Sequence, residues 1–275
     1  MSDVAPERYA SRTAIMAANS RALHHRFADE PKILDDPIAA RLLGADFEGA
    51  KSSAGHTSVV LRSRYCEDRL ALAASRGVTQ FVVLGAGLDT FAYRQPAWAS
   101  QLRICEVDHP ASQDDKRRRL AEAGVAVPSN LEFVAIDFER TTLRDGLRQS
   151  ALDFSQPTFF SCLGVMVYLT RDAIDAIFEL VAEFPPGSEM VFNFPAGGAP
   201  ADAVAMVRGV GEPFRSQLDA DEFRTKLQGM GFTAFTILSP DEANRRYFQN
   251  RSDGLKASTW PTIATVLREA ASAER

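Results

Sequence analysis

The residues best suited to hold and act on a small molecule open with one run, Phe81-Val82-Val83-Leu84-Gly85-Ala86-Gly87-Leu88-Asp89-Thr90, an apolar strand running directly into a Gly-x-Gly turn. Glycine at Gly85 and Gly87 lets backbone come close to a ligand. A dinucleotide fingerprint asks for a third glycine three positions after Gly87, and the chain has Thr90 there, which disfavours NAD. About twenty residues after the turn a second apolar strand ends at Glu106-Val107-Asp108, where an acidic side chain can accept both hydroxyls of a ribose. Strand alternation sets Glu106 and Asp108 on the same side. A third strand ends at Ile136-Asp137-Phe138, offering a carboxylate for an adenine amino group and an aromatic beside it. Singly, each carboxylate reads as a solvated loop residue or a helix cap. Together, behind a glycine turn, they describe a nucleoside pocket at the carboxyl edge of an open sheet.

The elements that must carry these residues follow from periodicity. Ser11 to Phe27 and Thr57 to Arg76 have helical spacing, for example Val59, Cys66, Leu70 and Ala73, with the polar stretch Gly44 to His56 between them. From Gln80 onward, short Val-, Ile- and Phe-rich runs alternate with helical patterns: Phe81 to Leu84, Arg103 to Asp108, Leu131 to Asp137, Thr158 to Leu163, Met190 to Phe194 and Phe232 to Leu238. That alternation predicts an α/β fold with a mostly parallel sheet and crossover helices. Arg171 to Phe184 is the clearest helix, with Thr170 as cap, Asp172 in the first turn and an apolar stripe of Ile174, Ile177, Phe178 and Val181. Asp219 with Glu222 resembles a capping box opening a helix through Met230. The spacing predicts one domain: a helical cap over 1–78, a cofactor-binding core over 79–195, a Gly- and Pro-containing lid or acceptor insertion over 196–218, and a return to the core over 219–275.

Composition narrows the partners. The 275 residues carry 31 Lys plus Arg against 36 Asp plus Glu, a net charge of −5, so the electrostatic attraction that nucleic-acid binding relies on is missing overall. Cys66, Cys105 and Cys162 are far apart and lack the paired spacing of a zinc or redox motif, which predicts reduced thiols in a cytoplasm. His24, His25, His56 and His109 show no metal-site spacing, and no signal peptide or membrane span is expected. The sequence does not decide the oligomeric state.

Beyond the strand ends, a longer set of motifs resembles a known family, the leucine carboxyl methyltransferase-like, S-adenosylmethionine-dependent O-methyltransferases, which include many bacterial members and polyketide O-methyltransferases. The motifs are Ser11-Arg12-Thr13-Ala14, Asp35-Asp36-Pro37 with Ala39-Ala40-Arg41, Arg62-Ser63-Arg64, Leu84-Gly85-Ala86-Gly87-Leu88-Asp89-Thr90 followed by Ala92-Tyr93-Arg94, Glu106-Val107-Asp108-His109-Pro110, Ile136-Asp137-Phe138, Tyr168-Leu169-Thr170, and Gly211-Glu212-Pro213-Phe214-Arg215. The resemblance implies a class I, Rossmann-like methyltransferase fold and S-adenosylmethionine as cofactor. It further implies that Gly85 lies against the methionine part of the cofactor, that Asp108 takes the ribose hydroxyls, that Asp137 with Phe138 reaches the adenine, and that Arg64 pairs with the cofactor carboxylate. The competing role for Arg64 is that of an exposed arginine on a helix that also carries Arg62, Arg69 and Arg76. Gly87 and Glu106 join the expected cofactor set as neighbours in the turn and on the second strand end. The chain departs from better-known members at Leu163, where those can carry a glutamate.

A sulfonium methyl is already electrophilic, so the protein's task is to bring a nucleophilic oxygen into line behind it and exclude water. A carboxylate acceptor needs no general base, whereas a hydroxyl would benefit from one. His109 is the histidine nearest the expected site; Tyr168 and Asn193 could line the acceptor pocket or be structural, and Arg215 could pair with an acidic acceptor. No catalytic residue is assigned. The expected activity is methyl transfer to a carboxylate or hydroxyl of a small molecule; the rivals are an NAD-dependent oxidoreductase and a non-catalytic nucleoside-binding protein on the same fold.

Overall fold

Seven strands, β1 (Gln80–Leu84), β2 (Arg103–Asp108), β3 (Leu131–Ala135), β4 (Thr158–Cys162), β5 (Glu189–Phe194), β6 (Ala234–Ile237) and β7 (Thr262–Leu267), form one sheet in the order β3-β2-β1-β4-β5-β7-β6. The computed structural model describes residues 11–47, 56–137, 141–209, 211 and 214–269. The first five strands pair in parallel, Phe81 opposite Ile104 on one side and Phe159 on the other, while β7 runs antiparallel to both its neighbours. From β1 the chain moves outward through β2 and β3, then returns to the other side of β1 with β4 and β5. The topological switch point therefore falls between the carboxyl ends of β1 and β4, where open α/β sheets bind ligands.

Nine α-helices accompany the sheet: α1 (Arg12–Phe27), α2 (Pro37–Leu43), α3 (His56–Ser75), α4 (Pro110–Glu122), α5 (Leu143–Arg148), α6 (Arg171–Val181), α7 (Ala201–Gly209), α8 (Ala220–Gly229) and α9 (Pro240–Ala243), all counted among the described residues. On one sheet face, Val60, Leu61, Tyr65 and Leu70 of α3 pack on Phe81, Ile104, Phe159 and Val191. On the other, the predicted stripe of α6 meets Phe223 and Leu227 of α8 over Val82, Val107, Phe160 and Phe192, with Phe178 edge-on to Phe192 at 5.0 Å. Both faces being covered, the central strands are buried throughout, as a parallel sheet requires. Thr170 and Asp219 cap α6 and α8 as the sequence predicts. Among the described residues no helix is long and apolar enough to cross a membrane.

One strand was not expected. β7 slots between β5 and β6 and is buried at Ile263, Ala264, Thr265 and Val266, so it lacks the polar alternation that marks a half-buried strand. Its buried Thr265 is satisfied by the Tyr65 hydroxyl at 3.0 Å.

The amino-terminal helices are latched to the glycine turn by charge. Asp36, fully buried, caps α2 by accepting from the backbone N–H of Ile38 and Ala39, receives Arg21 Nε at 2.8 Å and accepts the Thr90 hydroxyl at 2.6 Å. Arg21 also donates to the Leu88 carbonyl, and Arg94 bridges Asp36 and Glu67. Burial opposes ionisation of Asp36, but Arg21, Arg94 and the Thr90 hydroxyl outweigh it and hold its carboxyl below 3.8. Thr90, in place of a third glycine, is thus a buried hydrogen-bond donor that fixes α1 and α2 over the turn.

Candidate functional site

A cavity of about 900 Å³ opens at the switch point. Its floor is the turn after β1, Gly85 to Asp89, and the turn after β4, Leu163 to Val165; α1 and α3 form one wall, and Phe214, Arg215, Trp260 and Pro261 another. The two turns meet at Gly85. Its φ of +69° lies in the left-handed region, its N–H donates to Val107 O at 2.9 Å, and a Cβ added there would stand 2.4 Å from Val165 Cγ2. Only glycine fits, and the backbone at Gly85 stays open to the cavity.

Gly87, at φ +46°, donates its N–H to Asp108 Oδ2, and the His109 N–H donates to Oδ1 at 2.7 Å. Two backbone donors therefore hold Asp108 on the cavity wall while leaving lone pairs for a ligand. His109, the histidine singled out by position, faces elsewhere in function: its Nδ1 accepts from Ala111 N at 3.2 Å as the cap of α4, and it is not on the wall.

Glu106 is not brought to the site. It shares a sheet face with Asp108 but is sealed under α4, 1% exposed, with Lys116 Nζ at 2.6 Å and the Tyr93 hydroxyl donating at 3.2 Å. Burial outweighs Lys116 and pushes its carboxyl up to about 7. Asp137 lies just past the end of β3, beside the Asp108 carbonyl that accepts from Ile136 N, and off the cavity wall. Phe138 lies outside the described residues.

Arg64 also stays away from the cavity: it points outward, 44% exposed, and pairs with Asp68 one turn on at 2.9 Å. Arg62 takes the inward position. Its guanidinium lies against Gly164, where an added Cβ would stand 2.6 Å from Nη2, and no carboxylate is paired with it among the described residues. Burial, with Arg21 nearby, brings its pKa down to about 10 against the opposing pull of Tyr168 and Asp89, so it remains a cation at neutral pH. The signal was present in the sequence: Arg62 falls on the same helical stripe as Val59, Cys66, Leu70 and Ala73, and Arg64 does not. A charge on an inward stripe that is not neutralised locally marks a ligand position.

Of the other wall residues, Asn193 is fully buried; its Oδ1 accepts from Gly164 N at 2.6 Å and its Nδ2 has no hydrogen-bond partner among the described residues. Leu163 stands on the wall and packs against the α3 side of the core. Tyr168, Phe214 and Trp260 form a chain of rings with centroids 5.7 and 5.3 Å apart. Among the described residues the wall carries no histidine, lysine or cysteine.

A doubly covered, mostly parallel sheet with an antiparallel β7, whose switch-point cavity joins a Gly-x-Gly turn to a strand-end aspartate, is that of a class I methyltransferase. The chain belongs to the leucine carboxyl methyltransferase family, whose sequence profile matches residues 14–182. YktD of Bacillus subtilis (strain 168), provisionally named as an S-adenosyl-L-methionine-dependent methyltransferase, is 34% identical over 90% of this chain and 94% of its own length. A protein of Mycobacterium marinum with the same provisional naming is 34% identical over 66% of this chain and 65% of its own. Among solved structures, a duf574 family protein of Streptomyces avermitilis covers 95% of this chain and 98% of its own at TM-score 0.59 and 14% identity. A protein of Thermobifida fusca, described as a candidate methyltransferase, covers 96% of both at TM-score 0.58 and 20% identity. At these identities the two structures share the fold.

Proposed function

We propose that this methyltransferase transfers the methyl group of S-adenosylmethionine to an oxygen, carboxylate or hydroxyl, of a small molecule. The observation that carries the reading is the continuity of one cavity, lined by the Gly85 turn and Asp108 and also by the Tyr168, Phe214 and Trp260 rings. The cofactor fits the residues present: Gly85 and Gly87 leave backbone bare where a Cβ would intrude, Asp108 offers free lone pairs to a ribose, and Arg62 offers a cation to a carboxylate. Asn193 Nδ2 is a donor still to be satisfied. In this reading Arg62 replaces Arg64, Glu106 becomes a structural ion pair, and Asp137 keeps the adenine amino group from the neighbouring strand end.

Bound, S-adenosylmethionine supplies a sulfonium methyl that is electrophilic without further activation. The chain's own work is positioning and drying. Asp108 would hold the ribose and Arg62 the carboxylate of the cofactor, two contacts that would orient it in the cavity. Leu163, Val165 and the three rings exclude water from the acceptor side. No proton need be moved if the acceptor is a carboxylate, ionised at neutral pH. The wall supports this form of acceptor: its carboxylates among the described residues are Asp108, held by two N–H groups, and Asp89, which accepts from Phe91 N at 2.9 Å. Residues 196–218, containing α7 and the Phe214-Arg215 wall, form the acceptor side in this proposal.

Calorimetric titration with S-adenosylmethionine, S-adenosylhomocysteine and NAD tests the cofactor side; micromolar binding of the sulfur nucleosides and silence from NAD is expected. Labelled methyl incorporation over a panel of small acids and phenols then tests the acceptor. Alkali-labile label identifies a carboxyl ester, alkali-stable label an ether, and transfer to neither class overturns the proposal.

A further inference from the structure

Three aromatic side chains on the acceptor wall come from distant segments: Tyr168 after β4, Phe214 before α8 and Trp260 before β7. Tyr168 and Phe214 centroids lie 5.7 Å apart and Phe214 and Trp260 5.3 Å apart, each pair tilted by 41° and 55°. All three are half-buried, and none belongs to the apolar clusters that form the core. Large rings that line a cavity without filling the core are placed to make apolar and aromatic contact with whatever enters it.

The wall is fixed in advance. Arg215 N donates to Val167 O at 2.8 Å and the Ser216 hydroxyl to Met166 O at 2.9 Å, tying the Phe214 segment to the Tyr168 segment. Ser258 Oγ donates to the Trp260 carbonyl at 2.7 Å, steadying the third ring. Next to Phe214, Arg215 is exposed on the cavity wall, with no carboxylate partner among the described residues. Its planar fork suits a carboxylate, and an arginine beside stacked rings suits one carried on an aromatic system.

Building on the methyl-transfer reading above, we propose that the acceptor is a flat aromatic acid, its ring held by the Tyr168, Phe214 and Trp260 wall and its carboxylate by Arg215. Protein loaded with S-adenosylhomocysteine is titrated calorimetrically with 2-naphthoate, its saturated analogue decahydro-2-naphthoate, and 2-naphthol. The ring should bind about tenfold more tightly than its saturated analogue, since π-contacts add to area burial. Phe214→Leu, which keeps apolar area and removes the central ring of the three, should reduce that preference; Arg215→Ala should weaken 2-naphthoate about tenfold and leave 2-naphthol unchanged. S-adenosylhomocysteine affinity should be unaltered in both variants, which a collapse of the wall would not permit. Equal binding of naphthoate and its saturated analogue, or binding of none of the three, overturns the aromatic acceptor; an Arg215→Ala variant that binds naphthoate normally overturns the carboxylate assignment. Failure of S-adenosylhomocysteine itself to bind removes the methyl-transfer reading instead.

Discussion

Replacing Arg62 should separate ligand binding from stability in this fold. The guanidinium lies on the cavity wall against Gly164, with no paired carboxylate among the described residues and with Arg21 close enough to disfavour its charge. Arg62→Ala therefore removes a desolvated, like-charged cation from the free protein, and unfolding in urea should show no loss of stability. The cost falls on the ligand. A hydrogen bond between charged groups contributes about 1.5–3 kcal/mol, which corresponds to roughly a 10- to 150-fold rise in Kd for S-adenosylhomocysteine. The same titration with 5′-methylthioadenosine, which keeps the adenosine and sulfur but lacks the amino-acid carboxylate, should give unchanged affinity. Arg64→Ala is the internal control: exposed and paired with Asp68, it should leave both affinities unaltered, because exposed i,i+4 pairs contribute little even to stability. Weakened binding in Arg64→Ala with normal binding in Arg62→Ala would refute the orientation of α3. Equal losses for both nucleosides in Arg62→Ala would refute a contact specific to the carboxylate.

Asp108→Ala should weaken S-adenosylhomocysteine binding about tenfold or more by calorimetry, since a charge-assisted contact to the ribose is lost along with the anchor of Gly87 N–H. Gly85→Ala forces a left-handed backbone on alanine at an expected cost of about 1–3 kcal/mol in urea unfolding, and the clash with Val165 should also suppress cofactor binding; adding Val165→Ala should restore part of the binding and leave the backbone cost. Asp36→Asn leaves Arg21 and Arg94 facing a neutral amide in a buried place, a loss of about 3–5 kcal/mol at pH 7. Because the folded carboxyl of Asp36 lies below its unfolded value of 3.8, its contribution is present above that pH and lost as pH falls through the folded value. The difference between wild type and Asp36→Asn should accordingly shrink on acidification; a difference independent of pH would contradict the ion-pair account.

The strand segments up to β5, the glycine turn, the α6 stripe and the caps of α6 and α8 were legible in the sequence because each depends on near neighbours. Periodicity of 3.6 or 2 and a Ser, Thr or Asp at a helix start are written within a few residues. β7 was not legible: buried on both faces, with Thr265 paired to a hydroxyl 200 residues away, it carries no alternation. Nor was the role of Thr90, whose hydroxyl meets Asp36 from a segment 54 residues earlier.

The site divides along the same line. The sequence by itself determined the chemistry available at the turn and strand ends, because Gly85, Gly87 and Asp108 are placed by their own strands at the carboxyl edge of the sheet. Only the tertiary structure decided which of two acidic residues on one strand face is covered. Glu106 lies far enough into β2 for α4 to seal it with Lys116, while Asp108 emerges at the end. Arg62 and Arg64 differ by two positions, about 200° around a helix, so the apolar stripe of α3 already sets Arg62 on the inward side; the packing of α3 on the sheet then brings that side to the cavity. Of the aromatic wall the sequence offered Tyr168 alone as a pocket candidate, because its three rings come from segments that meet only in the folded chain.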